Sequence, residues 1–143
     1  MRRFTILAAV MILALRAASP EEQAVLATVQ RVFDALAKHD KDLMRQQLLP
    51  GGMATLIRNG QPVQLHFDAF IDRLGGTARV EERIHDPLVR IDNDIAIVWA
   101  PYEFLSEGKP DHCGTDVFTL FRRDSRWLVS AIADNSRSDC QAK

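Results

Sequence analysis

The chain has 143 residues, of which 47% are hydrophobic and 26% charged, so its length and apolar content suit one compact domain. Seven glycines and six prolines are too few for a collagen-like or low-complexity chain, and the apolar fraction argues against a disordered one. With 18 basic and 19 acidic residues, the chain lacks the basic excess that nucleic-acid binding requires.

Residues 1–20 have the order of a secretory signal peptide: Arg2 and Arg3, a charge-free apolar run over residues 4–15, and small residues at 17–19. The run is too short to cross a hydrocarbon core of roughly 30 Å as a helix, so a stable membrane anchor is not expected. We expect export after cleavage, which fits better behind Ala17 than behind Ala18, because Arg16 would lie three residues before a cut behind Ala18. The alternative is a buried N-terminal helix. Removing three arginines and no acid leaves 15 basic and 19 acidic residues, a formal charge of −4, which again argues against nucleic acid.

Three helices are predicted in the first half of the remaining chain. Pro20 and two acids begin the first helix, and an apolar stripe extends it over about 17 residues; the stripe consists of Val25, Val29, Val32, Phe33 and Leu36. Asp40 is expected to cap a second, shorter helix that ends at Pro50, and a third is expected over residues 68–74. Between the last two, Asn59-Gly60 predicts a hairpin of residues 53–57 with 63–67.

From Arg79 onward the pattern predicts antiparallel strands joined by tight turns at residues 91–95, 106–109 and 124–125. Pairing outward from these turns places Glu103 opposite His112 and Trp99 opposite Asp116. One face of the sheet then carries Ile95, Ile97, Trp99, Glu103, His112, Asp116, Phe118, Leu120, Trp127, Val129, Ala131, Ala133 and Asn135. The opposite face carries Tyr102, Phe104, Cys113 and Phe121. A slip of one residue would exchange the two faces.

Cys113 and Cys140 are the two cysteines of the chain, and in an exported protein such a pair is expected to be oxidised. A disulfide between them would tie the tail, residues 138–143, to a strand and stabilise the fold by roughly 3 to 4 kcal/mol. The alternative is a reactive thiol at Cys113. Neither cysteine lies in a CxxC motif or has the ligand spacing of a structural zinc site.

The segment from Asp94 to Phe104, followed by that from Cys113 to Val129, is similar to the C-terminal half of small secreted bacterial members of the nuclear transport factor 2-like superfamily, also called cystatin-like. An amphipathic first helix, two short helices and a Trp-containing last hairpin extend the resemblance over residues 21–137. It implies a cone-shaped α+β domain, with a curved antiparallel sheet wrapped on N-terminal helices and a pocket at the open end. A homodimer through the outer sheet face is also implied, for which the exposed aromatic candidates are Tyr102, Phe104 and Phe121.

In such a cone, the polar end of the predicted inner face would form the mouth of the pocket. Its ligand-binding candidates are Trp99, Glu103, His112, Asp116, Phe118 and Asn135. We expect a non-catalytic protein that binds a small apolar molecule or associates with itself or another protein. Since the superfamily also includes a ketosteroid isomerase, polyketide cyclases and a dehydratase, the alternative is a pocket enzyme with Asp116 as general base.

His112 or Glu103 is the candidate helper of Asp116. About 13 Å of strand separates His112 from Asp116, so a direct dyad of these two is not expected. Glu103 and His112 would form a titrating pair at the mouth, or else an ordinary cross-strand pair. No cofactor is expected. A metal site is not expected either, because no spacing brings His66 and His85 together with His112.

Overall fold

The computed structural model describes residues 17–140, and most of the predicted signal sequence, residues 1–16, lies outside this range. Three helices are present: α1 (Pro20–Lys38), α2 (Lys41–Gln47) and α3 (Phe67–Asp72). The strands are β1 (Leu48–Arg58), β2 (Gln61–His66), β3 (Val80–Ile84), β4 (Leu88–Asp92), β5 (Ile95–Ser106), β6 (Lys109–Arg123) and β7 (Arg126–Arg137). The predicted α+β fold, a curved sheet on N-terminal helices, is confirmed.

Helix α1 begins with a capping box at Ser19. The Ser19 hydroxyl accepts a hydrogen bond from the Glu22 N–H at 3.2 Å, and the Glu22 carboxylate accepts one from the Ser19 N–H at 2.7 Å. Pro20 follows in the first turn, where a missing N–H removes no intrahelical bond. The predicted apolar stripe is buried against the sheet, and the helix ends at His39 in the left-handed conformation.

All strands join one sheet in the order β2-β1-β7-β6-β5-β3, with β4 also paired to β5. The predicted hairpins are present, and the neighbouring strands that they join are antiparallel. One pair of neighbouring strands is not antiparallel, as the sequence predicts, but parallel. It consists of β1 and β7, which lie side by side within the sheet. A parallel pair needs a long connection rather than a turn, so no local signal predicted it. Leu48 to Gly52, expected to end a helix, instead begin β1.

Two β-bulges make the predicted register wrong away from the turns. Ser106 pairs with Lys109 as expected, but Asp111 is an extra residue in β6, so His112 lies opposite Phe104 rather than Glu103. Similarly, Ser130 is an extra residue in β7. The pairing beyond it shifts by one residue, and Asp116 lies opposite Asp134 instead of Ala133.

The shifted register moves several predicted inner residues to the outer face of the sheet. Along β5, Ile95, Ile97 and Trp99 are 56%, 43% and 44% exposed, while Ala96, Val98, Ala100 and Tyr102 are buried. Along β7, Ile132 and Asp134 face the helices in place of Ala131, Ala133 and Asn135. His112, Asp116, Phe118, Leu120, Trp127 and Val129 keep their predicted inner positions.

The predicted disulfide between Cys113 and Cys140 is present, with the two Cα atoms 5.7 Å apart. It joins a buried position in β6 to the residues that follow β7. Between residues 17 and 140, no helix has both the length and the apolar character needed to span a bilayer.

Candidate functional site

A cavity of about 250 Å³ lies between the helices and the inner face of the sheet. Most of its wall is apolar and comes from all three helices and four strands: Val32, Phe33, Leu36, Met44, Leu56, Phe70, Phe104, Phe118 and Ile132. Five polar side chains also line it, namely Arg58, Glu82, His112, Asp116 and Asp134. Apolar walls with a few convergent polar groups are typical of small-molecule sites, and this volume suits a small ligand.

An ion pair between Arg58 and Asp134 forms one part of the polar end. Arg58 donates through Nη1 and Nη2 to the two carboxylate oxygens of Asp134, at 2.5 and 2.8 Å. The parallel pairing of β1 with β7 brings the two side chains together, since Arg58 lies opposite Ser136 on the neighbouring strand. Both guanidinium nitrogens that face Asp134 are thereby occupied, and this hydrogen bonding raises the pKa of Arg58.

Two carboxyl groups, that of the buried Asp116 and that of the half-buried Glu82, form the other part. Asp116 is only 3% exposed, and its Oδ2 is the one buried side-chain nitrogen or oxygen in residues 17–140 without a hydrogen-bond partner. Glu82, from the edge strand β3, is close enough that each carboxyl group shifts the pKa of the other. An orphaned carboxyl oxygen in an apolar wall is uncommon, because burying it costs free energy unless something binds it.

Burial is the main cause of both pKa shifts in this pair. It raises the pKa of Asp116 to about 10, and the negative charge of Glu82 adds to the effect. Burial also raises the pKa of Glu82 to about 7, where the interaction with Asp116 acts in the opposite direction. The pair therefore holds at least one proton at neutral pH, with Asp116 as the carboxyl that keeps it.

His112 also lines the cavity and is held by its neighbours. Its Nδ1 is 2.7 Å from the Asp111 carboxylate, and its ring stacks on Phe104 with centroids 4.6 Å apart. Tyr102, which the predicted register put on the outer face, is buried and packs edge-on against the His112 ring. The Tyr102 hydroxyl donates to the Asn135 carbonyl oxygen at 2.9 Å. Burial raises the pKa of Tyr102.

The structure brings His112, Asp116 and Phe118 together in the cavity wall, as the sequence predicts. It does not bring Trp99, Glu103 or Asn135 there. Trp99 and Glu103 lie beyond the Asp111 bulge on the outer face. Asn135 is exposed beyond the Ser130 bulge, and its Oδ1 accepts a hydrogen bond from the Thr115 N–H.

Sequence reasoning missed Arg58, Glu82 and Asp134. Glu82 had a usable signal, since Val80, Glu82 and Ile84 alternate with two exposed residues and the period of a strand places all three on one face. Arg58 had none, because its partner lies on a parallel strand far along the chain. Within residues 17–140, no three His, Cys, Asp or Glu residues are arranged to hold a metal ion.

Three comparisons with known proteins bear on the family. The model of a family described as putative lumazine-binding matches residues 20–132. A comparison with curated proteins finds no match. The third comparison, with solved structures, finds many nuclear transport factor 2-like proteins.

The first of three such structures is a nuclear transport factor 2-like protein from Cytophaga hutchinsonii, 15% identical with a TM-score of 0.72, covering 83% of this chain and 100% of that one. The second is a cystatin-like protein of unknown function from Nostoc punctiforme, 8% identical with a TM-score of 0.70 over 87% and 97% of the two chains. The third is a putative scytalone dehydratase from Novosphingobium aromaticivorans, 12% identical with a TM-score of 0.69 over 86% and 89%. These likenesses show the shared fold.

Proposed function

Because the chain belongs to the putative lumazine-binding family, we propose that its cavity binds a small, largely apolar molecule with one polar edge. The observation that carries this proposal is Asp116, whose buried Oδ2 has no hydrogen-bond partner within residues 17–140 and whose side chain, with that of Glu82, lines a largely apolar cavity. An unpartnered buried polar group costs about 1 to 3 kcal/mol, which a ligand hydrogen bond would recover. Lumazine, which the family description names, is a fused-ring heterocycle with apolar faces and such an edge.

Calorimetric titration with lumazine, and with 2-naphthol as a second fused-ring probe, tests the proposal. We expect saturable binding of at least one probe, and a fall in affinity of about tenfold in Asp116→Asn because one hydrogen bond to a charged or acidic group is lost. Leu36→Trp would fill the cavity and abolish binding, whereas Val63→Trp, at an exposed position on β2 that does not line the cavity, is the matched control. Equal binding by the two Trp variants, or no binding of either probe to the unmodified protein, would contradict the proposal.

Acid–base catalysis is a second candidate function, and the carboxyl pair favours it. With one pKa near 7 and the other near 10, Glu82 can accept a proton at neutral pH while Asp116 still donates one. This assignment differs from the sequence expectation, in which Asp116 is the base and His112 or Glu103 its helper. The Novosphingobium neighbour is named as a putative dehydratase, a class of enzyme that moves protons in this way.

Hydrogen–deuterium exchange of the acidic C–H groups of 2-indanone, followed by proton NMR in D₂O, separates catalysis from binding alone. A catalytic pair should accelerate the exchange by about 10² to 10⁴ over buffer, and Glu82→Gln should remove the acceleration. Glu81→Gln changes the exposed neighbour on the same strand and should keep it. If the unmodified protein and Glu82→Gln exchange the ketone equally, the catalytic candidate fails and non-catalytic binding remains.

We further propose that two copies associate through the outer face of the sheet. Its support is a row of exposed apolar side chains, Ile95, Ile97 and Trp99, with Leu88 beside Trp99 on β4. Tyr102 and Phe104, which the sequence assigned to this patch, lie on the inner side instead. Analytical ultracentrifugation should show a dimer that Trp99→Glu dissociates. Val63→Glu, an exposed apolar site on β2, should not, and a monomeric unmodified protein would refute the association.

We also propose that the protein is exported. Two features support this: charged, apolar and small residues follow one another in positions 1–20 as in a signal peptide, and the disulfide suits an oxidising compartment. Cleavage behind Ala17 or Ala18 would leave the Ser19 cap of α1 in place. The mass of the protein from the exported fraction of its host should correspond to one of these two cleavage sites. An unprocessed chain confined to the cytosol would contradict export.

A further inference from the structure

We infer that the ligand of this cavity carries a positively charged, planar N–H donor group, such as an amidinium or a protonated amino-heterocycle, which Asp116 and Glu82 bind together. The inference rests on the proposed function, since it names the chemical class of the molecule held in the same cavity. It starts from the orphaned Oδ2 of Asp116 and from the charges that surround it.

Carboxyl groups outnumber cations at the polar end of the cavity. Glu82, Asp116 and Asp134 come from three different strands, and Arg58 is the guanidinium that faces them. Arg58 is bound through two nitrogens to Asp134. His112 is bonded to the exposed Asp111, and in residues 17–140 neither Asp116 nor Glu82 forms a salt bridge. Within residues 17–140, the cation that acts on the pair, Arg58, is therefore already bound to Asp134.

Burial is the main cause of the raised pKa values of the pair, and a neighbouring carboxyl group acts in the same direction. Asp134 raises the pKa of both Asp116 and Glu82, and Arg58 opposes it. Besides burial, all three carboxyl groups raise the pKa of the Tyr102 hydroxyl, and Arg58 lowers it. Without a ligand, the pair reduces its negative charge by keeping protons. A bound cation would take the place of those protons, whereas an anion would be repelled.

The apolar wall favours a flat cation over a compact one. Four phenylalanines line the cavity: Phe33, Phe70, Phe104 and Phe118. The Phe33 and Phe118 rings pack edge to face with centroids 5.8 Å apart, so the wall offers both ring faces and ring edges. A planar cation can pack on such rings and gain from cation–π attraction while its N–H groups reach the carboxyl pair.

Benzamidine, benzamide and benzoate share one ring and differ in the charge of the head group, so they test the inference directly. We expect benzamidine to bind at least tenfold more tightly than benzamide in calorimetric titrations at pH 8, and benzoate not to bind. Benzamidine affinity should rise by up to about tenfold per pH unit between about pH 6 and pH 9, because binding releases a proton from the pair. The measured heat should then depend on the ionisation enthalpy of the buffer.

Glu82→Gln and Asp116→Asn should each abolish the preference for benzamidine over benzamide. Glu81→Gln, on the same strand but outside the cavity and bonded to Arg83, is the matched control and should retain it. Equal affinities for benzamide and benzamidine in the unmodified protein, or a benzamidine affinity independent of pH, would overturn the inference and leave the proposed function standing. If none of the three compounds binds and lumazine and 2-naphthol also fail, both are overturned.

Discussion

The buried carboxyl of Asp116 links the stability of the fold to pH. The pKa values of Asp116 and Glu82 in the folded protein, about 10 and about 7, exceed the ordinary values of about 3.9 and 4.3 that apply to the unfolded chain. Between these values the folded state holds protons that the unfolded state has released. The contribution of the pair to the free energy of unfolding is therefore full below about pH 4 and is lost as the pH rises through 7 toward 10.

Asp116→Asn removes this titration while keeping nearly the same side-chain shape. We expect its stability relative to the unmodified protein to increase by at least about 2 kcal/mol between pH 5 and pH 9, because each unit of pKa difference corresponds to about 1.4 kcal/mol. Urea denaturation at several pH values measures the difference. Asp139→Asn, in the exposed tail, is the control and should show no such trend. A difference that stays constant with pH would show that Asp116 titrates alike in both states.

The side chains of one strand that share a face could be predicted from the sequence, whereas the register between neighbouring strands could not. His112, Asp116 and Phe118 share a face because they belong to the same strand, and no neighbouring strand is needed to place them. Trp99 and Asn135 were assigned through a partner strand, and one inserted residue in each pairing reversed them. The inserted residues did not reveal the bulges, because Asp111 and Ser130 are residue types that also favour turns.

The helices and hairpins depended on local signals, namely caps, glycines and apolar periodicity, and these were sufficient to predict the fold. The site needed more than local signals. Arg58 and Asp134 meet because β1 and β7 run side by side. Glu82 lies near Asp116 because β3 pairs with the second half of β5, whereas β4, the next strand along the chain, pairs with the first half. Such long-range placements follow from packing, so three of the five polar side chains that line the cavity escaped prediction.

Close packing of β6 against β7 depends on Gly114. A Cβ atom at this position would lie 1.9 Å from the Asn135 carbonyl oxygen and 2.7 Å from the Tyr102 ring. The same carbonyl accepts the Tyr102 hydroxyl hydrogen bond. We expect Gly114→Ala to lower the free energy of unfolding by more than about 2 kcal/mol, because backbone must move to admit the methyl group. Urea denaturation should show little change for Gly75→Ala, whose added carbon meets nothing within 4 Å. A Gly114→Ala protein of normal stability would contradict this packing.

The disulfide between the tail and β6 contributes to the stability of the whole molecule. By joining Cys140 to Cys113 it closes a loop with a sequence separation of 27 residues, which restricts the unfolded chain. We expect Cys140→Ser to lower the free energy of unfolding by about 3 kcal/mol. A reductant should bring the unmodified protein to the same value and leave the variant unchanged. Equal stability of the oxidised protein and the variant would show that the tail contributes nothing.

The parallel pairing of β1 with β7 also determines when the protein can finish folding. Strands β1 and β2 join the rest of the sheet through β7, which follows all the other described strands along the chain. Pairings this distant in sequence slow folding, since the loop must close before its contacts form. Because Arg58 lies on β1 and Asp134 on β7, a nascent chain has no complete cavity until β7 has left the ribosome. A chain that stops before residue 126 would therefore lack the part of the cavity wall that β7 contributes, including the partner of Arg58.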